Sequence, residues 1–175
     1  SRGALVREFL ASGGTAEQYA ENVETRGHRF NGFNLLLYDG SRLAYVTNRP
    51  NARARPVDSG IHGLSNADLD TPWPKVESGK RELERALETG TLSTERLLEI
   101  LRDDVRAPDE KLPDTGVGLD LERALSSRFI RSDAYGTRSS TVVLIGRDGR
   151  IVFTEQTHIP RDTRPSTVEF DLIPT

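Results

Sequence analysis

Cysteine and methionine are both absent from these 175 residues. The lack of cysteine excludes a disulfide framework, a thiolate metal site and a cysteine nucleophile within this stretch of chain. The lack of methionine means that Ser1 is not a translation start, so the chain reads as processed or as a piece of a longer one. Neither sign of charge dominates: 24 basic residues face 27 acidic ones, a net −3. That balance lacks the one-sided basic excess of a nucleic-acid surface. No apolar run approaches the ~20 residues of a membrane helix, and no charged start followed by an apolar stretch marks a signal peptide. A soluble, cytoplasmic protein is the expectation. The phosphate loop Gly-x-x-x-x-Gly-Lys, the metalloprotease pattern His-Glu-x-x-His and the serine elbow Gly-x-Ser-x-Gly are missing as well.

What is present suits a folded domain. Hydrophobic residues make up 35% and charged residues 29%, and residues 1–175 are read as a single domain. Leu5, Val6, Phe9 and Leu10 share one helical face, which Gly13-Gly14 ends. Thr15 to Gln18 has capping-box spacing, and Ala16, Tyr19, Ala20 and Val23 form an apolar stripe behind it. The period then changes. Residues 33–38 read as a strand buried on both faces. Asp39-Gly40 turns the chain into a second strand over 43–46, which predicts a hairpin. Residues 48–56, with Arg49, Arg53 and Arg55 among prolines and asparagines, read as a solvated loop, with an anion contact as the alternative. Residues 60–65 read as a third strand ending at Asn66.

Beyond Pro72-Trp73-Pro74 the spacing predicts a helix burying Val76, Leu83, Ala86 and Leu87, and Gly90 stops it. Ser93 caps the next helix, which presents Leu97, Leu98, Ile100 and Leu101. Residues 107–118 read as loop, and residues 119–125 as a short helix. Residues 140–145 and 150–157 flank Asp148-Gly149 as a second hairpin. Val168, Phe170 and Leu172 alternate with polar residues in a final half-exposed strand. Strands in blocks with helices between them predict an α+β fold, antiparallel sheets with helices outside.

Two segments look unlike scaffold. In residues 60–75, Asn66 offers a side-chain amide beside small residues, well placed to donate to a ligand oxygen as oxyanion-hole donors do. Ser65 precedes it, His62 shares the segment, and Trp73 between prolines makes a rigid apolar wall. The plainer account has Asn66 holding a turn, Trp73 in the core and His62 as a hydrogen-bonded, half-buried histidine. Asp68 and Asp70 read as caps and turn formers. In residues 135–141, Arg138 stands among small hydroxyl residues, where its planar fork suits an anion or a structural carboxylate. His28, His62 and His158 lack metal-ligand spacing, so no metal site is predicted. Ser1 with its own amine matches a terminal-serine nucleophile, although any cut chain begins with some residue.

The stretches HGLSNADLDTPWPK (62–75), LPDTGVG (112–118) and YGTRSST (135–141), in this order and spacing, resemble the NRDE or transport and Golgi organization protein 2 family. So do Ser1-Arg2-Gly3 and residues 31–36, and the resemblance covers essentially the whole chain. It implies an N-terminal-nucleophile hydrolase-like fold, a four-layer αββα sandwich, here incomplete. It also implies that the family's opening Met-Cys and its Asn-Arg-Asp-Glu motif lie before Ser1. By that resemblance the cysteine would be the nucleophile, this stretch alone would be inactive, and the missing segment would be a partner in the site. Ser65-Asn66 is similar to the oxyanion-hole segment of penicillin V acylases and bile-salt hydrolases. Arg138 resembles their late active-site arginine, in different flanking sequence.

Two functions follow from the resemblance. One is hydrolysis of amide or thioester bonds, with Asn66 and Arg138 in catalytic roles and His62, Ser65 and Trp73 lining the substrate. The other is a haem- or lipid-handling carrier without catalysis. Haem is then a ligand rather than a required cofactor, and histidine, tyrosine or arginine are the axial contacts that this stretch can supply.

Overall fold

Gly3–Ser12 forms the first helix, α1, and Gly13 closes it in a left-handed turn at φ 61°. The next helix, α2 (Ala16–Arg26), starts at the capping box foreseen from the sequence. Thr15 Oγ1 accepts from the Gln18 amide at 3.2 Å, and Gln18 Oε1 accepts from the Thr15 amide at 3.3 Å. The computed structural model describes residues 1–132, 135–158 and 167–172, apart from the side chains of 169, 171 and 172. The chain divides into two compact units, Ser1–Thr71 and Pro72–Thr175.

In the first unit, β1 (Asn34–Tyr38), β2 (Leu43–Thr47) and β3 (Arg53–Val57) make an antiparallel sheet in that order. In its register Leu36 lies opposite Tyr45, and Ala44 lies opposite Pro56. The hairpin between β1 and β2 is tied to α2: Asp39 accepts from the amides of Ser41 and Arg42, and its other oxygen from the amide of Ala16 at 2.8 Å. Helix α2 lays Ala16, Tyr19, Ala20 and Val23 on Leu37, Ala44 and Val46, with Leu5 of α1 joining the same core.

Three expectations fail here. Val6 and Leu10 are 48% and 79% exposed, because α1 meets the core only through Leu5 and the flank of Phe9. Strand β1 is buried on one face only: Leu37 points to α2, whereas Leu36 and Tyr38 are exposed. The third strand is residues 53–57, read from the sequence as loop, and residues 60–65 are irregular. Pro56 disguised the strand. Proline removes a ladder donor, and β3 lies at a sheet edge, where that loss is tolerated.

In the second unit, α3 (Pro74–Glu88) opens with proline at its first position, where a missing amide costs nothing. Val76 and Ala86 are buried, while Leu87, expected inside, is exposed. Helix α4 (Thr94–Leu101) is capped by Ser93 Oγ, which accepts from Arg96 N at 3.2 Å. Helix α5 (Leu119–Leu125) follows the loop of 107–118, which holds a single 3-10 turn at Asp109–Lys111. A second antiparallel sheet, in the order β4 (Ser139–Ile145), β5 (Ile151–Thr157), β6 (Thr167–Leu172), matches the expected hairpin and places a last strand where the sequence predicted one, although its apolar residues Val168 and Phe170, expected on the buried face, are exposed. The chain is thus α+β with antiparallel sheets. No helix among the described residues is long and apolar enough to cross a membrane.

Candidate functional site

An open cleft of about 830 Å³ lies in the first unit, lined among others by Arg2, Gly32, Asn34, Arg49, Ser65, Asn66 and Asp68. That volume falls within the ~300–1,000 Å³ of small-molecule sites. Its wall is the irregular segment that follows β3, and this segment is fixed from both ends.

The first anchor is Asn34, the one polar residue in an otherwise apolar strand. Its Nδ2 donates to the carbonyls of Ala67 at 2.9 Å and Ser65 at 3.4 Å, the two residues flanking Asn66. Asn34 is itself held by the fully buried Tyr45, whose hydroxyl donates to Asn34 Oδ1 at 2.6 Å. Burial pushes the Tyr45 phenol up, so it stays a donor. The second anchor is Asp70, in the left-handed region at φ 65°. One of its carboxylate oxygens accepts from Gly63 N at 2.9 Å, and the other meets His62 Nδ1 at 2.6 Å. His62 Nε2 contacts the Asp58 carbonyl at 2.9 Å. Both ring nitrogens of His62 are therefore engaged inside the loop, and His62 does not line the cleft.

With its neighbours' carbonyls bound, the exposed Asn66 side chain is presented on a fixed backbone. Asp68 forms the charged part of the wall. Its Oδ2 pairs with Arg53 at 2.5 Å. Burial pushes the Asp68 carboxyl up, but the Arg53 guanidinium beside it outweighs that and holds it below the usual carboxylate range. Asp68 Oδ1 is buried without a hydrogen-bond partner.

The structure thus brings Ser65 and Asn66 together in one cleft. Trp73 and Arg138 belong to the second unit. Trp73 is half-buried just before α3, with the Lys75 ammonium 5.8 Å from its ring centre. Arg138 is exposed just before β4, and its carbonyl accepts from His158 N at 2.7 Å. His158 stacks edge-on against Phe129 at 4.7 Å and meets Ser140 Oγ at 3.0 Å. Burial, with Arg102 and Arg131 nearby, pushes its ring pKa down. Among the described residues no three histidine or carboxylate side chains gather as a metal ion requires.

Sequence reasoning passed over Asn34 and Tyr45, and it read Arg49 as part of a solvated loop with an anion contact as the alternative. Asn34 carried a signal, a lone amide inside an apolar run. Tyr45 carried none, since its role depends on which strands become neighbours.

The family model described as Transport and Golgi organisation 2 matches residues 1–160. The chain is 33% identical over 187 residues to the Transport and Golgi organization 2 homolog of Mus musculus, covering 98% of this chain and 68% of that protein. It is 35% identical over 178 residues to the homolog of Bos taurus, covering 92% and 63%. It is 26% identical over 175 residues to Transport and Golgi organization protein 2 of Drosophila melanogaster, covering 89% and 60%. The chain therefore spans about two thirds of the length of these relatives.

Proposed function

This chain belongs to the Transport and Golgi organisation 2 family, and we propose that its first unit supplies the oxyanion side of a cleft that acts on amide or thioester bonds. The observation that carries the reading is Asn66, exposed in the cleft between two residues whose carbonyls are locked by Asn34. A donor held rigidly before the reaction loses no reorganisation energy when charge develops on a carbonyl oxygen. The nucleophile side comes from the segment before Ser1, where the family resemblance puts a terminal cysteine, within an αββα sandwich. The thiolate attacks the carbonyl carbon, and the π electrons move onto the oxygen, which accepts from Asn66 Nδ2. Collapse then expels the amine or thiol, which takes up the proton that the cysteine gave to its own amine, and water releases the acyl group.

The test is to treat the full-length protein with an acylating ester probe, locate the label, and assay hydrolysis of simple amides and thioesters. Label on the terminal cysteine together with turnover is the expected result. Labelling without turnover removes the enzyme reading.

A second reading, haem or lipid carriage, is favoured by one observation: His158 packs edge-on against Phe129, where burial pushes its ring pKa down, towards the neutral imidazole that ligates iron. His62 suits the role less, because both its nitrogens are engaged. Saturable haem binding to the full-length protein that weakens in His158→Ala supports it. A haem spectrum unchanged by that substitution removes His158 as the ligand.

A further inference from the structure

Among the described residues, two cationic side chains of the cleft have no counterion. Arg2 Nη1 donates to the Gly32 carbonyl at 3.1 Å. The Arg49 side chain lies against the same residue from another direction: a Cβ on Gly32 would fall 1.9 Å from Arg49 Nε. Both arginines thus approach Gly32, Arg2 at its carbonyl oxygen and Arg49 where a Cβ would stand. Among the described residues, neither Arg2 nor Arg49 forms an ion pair, whereas Arg26, Arg53, Arg96, Arg123 and Arg128 all do. The cleft's own carboxylate does not serve them, because Asp68 is neutralised by Arg53.

We propose that the cleft takes ligands bearing a carboxylate or phosphate, held between Arg2 and Arg49, with the rest of the ligand running along residues 64–67 towards Asn66. Arginine suits this role because its fork matches both oxyanions in two parallel hydrogen bonds. An uncompensated pair of guanidinium groups facing one opening repels itself, and a bound anion relieves that cost. The inference rests on the hydrolase reading for the direction of the ligand, and it names the class of substrate: an anionic amide or thioester rather than a neutral one. Anion capture by itself does not depend on that reading.

The test is titration calorimetry on the full-length protein with glutarate, with inorganic phosphate, and with neutral glutaramide. Binding of glutarate alone assigns a carboxylate ligand, and binding of phosphate alone assigns a phosphate ligand. Binding of both assigns the shared oxyanion chemistry. Binding of neither, or of glutaramide as tightly as glutarate, overturns the proposal. Arg49→Gln is expected to weaken anion binding about tenfold or more, the usual worth of a charge-assisted hydrogen bond. Gly32→Ala, which displaces the guanidinium without removing its charge, should weaken it in the same direction. Unchanged affinity in both variants overturns the assignment. The parent protein gives an independent readout should either variant fail to fold: its anion affinity must fall as salt rises, and affinity indifferent to salt sinks the idea. The titration reads binding and not turnover. Absent anion binding with turnover intact removes this inference alone, and anion binding without turnover removes the hydrolase reading alone.

Discussion

The two units are held together differently. In the first, a helix with a clean apolar stripe lies on a three-stranded sheet, and Leu5, Val23 and Val46 are sealed between them. In the second, fewer large apolar residues are buried among the described residues. Strand β4 turns Ser140 inward with Val142 and leaves Val143 and Ile145 exposed. Arg128 does much of the holding there. It pairs with Asp103 at 2.7 Å and donates to the Ile100 carbonyl at 2.8 Å and to Ser78 Oγ at 2.6 Å, over the side-chain-free Gly79. Lys75 donates to the Leu125 carbonyl at 2.7 Å, and buried Glu122 accepts from the Thr115 amide at 2.8 Å. Apolar packing is non-directional and follows periodicity, whereas a polar network is directional and depends on partners far apart in the chain. The contrast explains where sequence reading works and where it stops.

Substitutions can break that contrast. Leu5→Ala empties a fully buried site in the first core and should cost about 2–4 kcal/mol in urea unfolding. A smaller cost would mean that α1 is not part of that core. Arg128→Ala strands Asp103 and unbinds Ser78 and the Ile100 carbonyl, and should cost about 2–3 kcal/mol. Hydrogen exchange should place that loss at α3 and α4, with the first unit untouched. Thr15→Ala removes the cap of α2, at about 1 kcal/mol, and should raise exchange at the start of that helix.

The smallest effect expected is on pH. Burial, aided by Arg102 and Arg131, lowers the His158 pKa in the folded state, so the unfolded chain binds its proton more readily. The stability that this group contributes is therefore present above its unfolded pKa of about 6.5 and is lost as pH falls through that value towards the lower folded one. In the first unit, Asp39 is depressed chiefly by the amide of Ala16 and then by those of Arg42 and Ser41. Its contribution is present above the unfolded value of about 4 and is lost only below it. On acidification the second unit should loosen first. Its single tryptophan, Trp73, gives a fluorescence readout, and His158→Leu should flatten that response.

The legible parts of the fold were those written in short-range patterns. The stripe of α2, the Asp39-Gly40 hairpin and the caps at Thr15 and Ser93 follow from neighbours within four residues. Strand β3 was not legible, because the tolerance of Pro56 comes from its edge position and not from its own sequence. Residues 60–65 imitate a strand, but His62 and Asp70 close them into a loop by contacts that no periodicity reveals. The same limit applies to the site. Ser65 and Asn66 stood out by residue type and Arg49 by its cluster of arginines, while Asn34 and Tyr45 gain meaning only from the strands that bring them alongside.

The central claim is that Asn66 stabilises charge and does not hold the fold. The most direct test is kcat/KM for amide or thioester hydrolysis by full-length Asn66→Ala, measured beside its thermal midpoint. The account predicts a loss of about a hundredfold with the midpoint unchanged. Undiminished turnover, or a loss that merely follows a fallen midpoint, would contradict it.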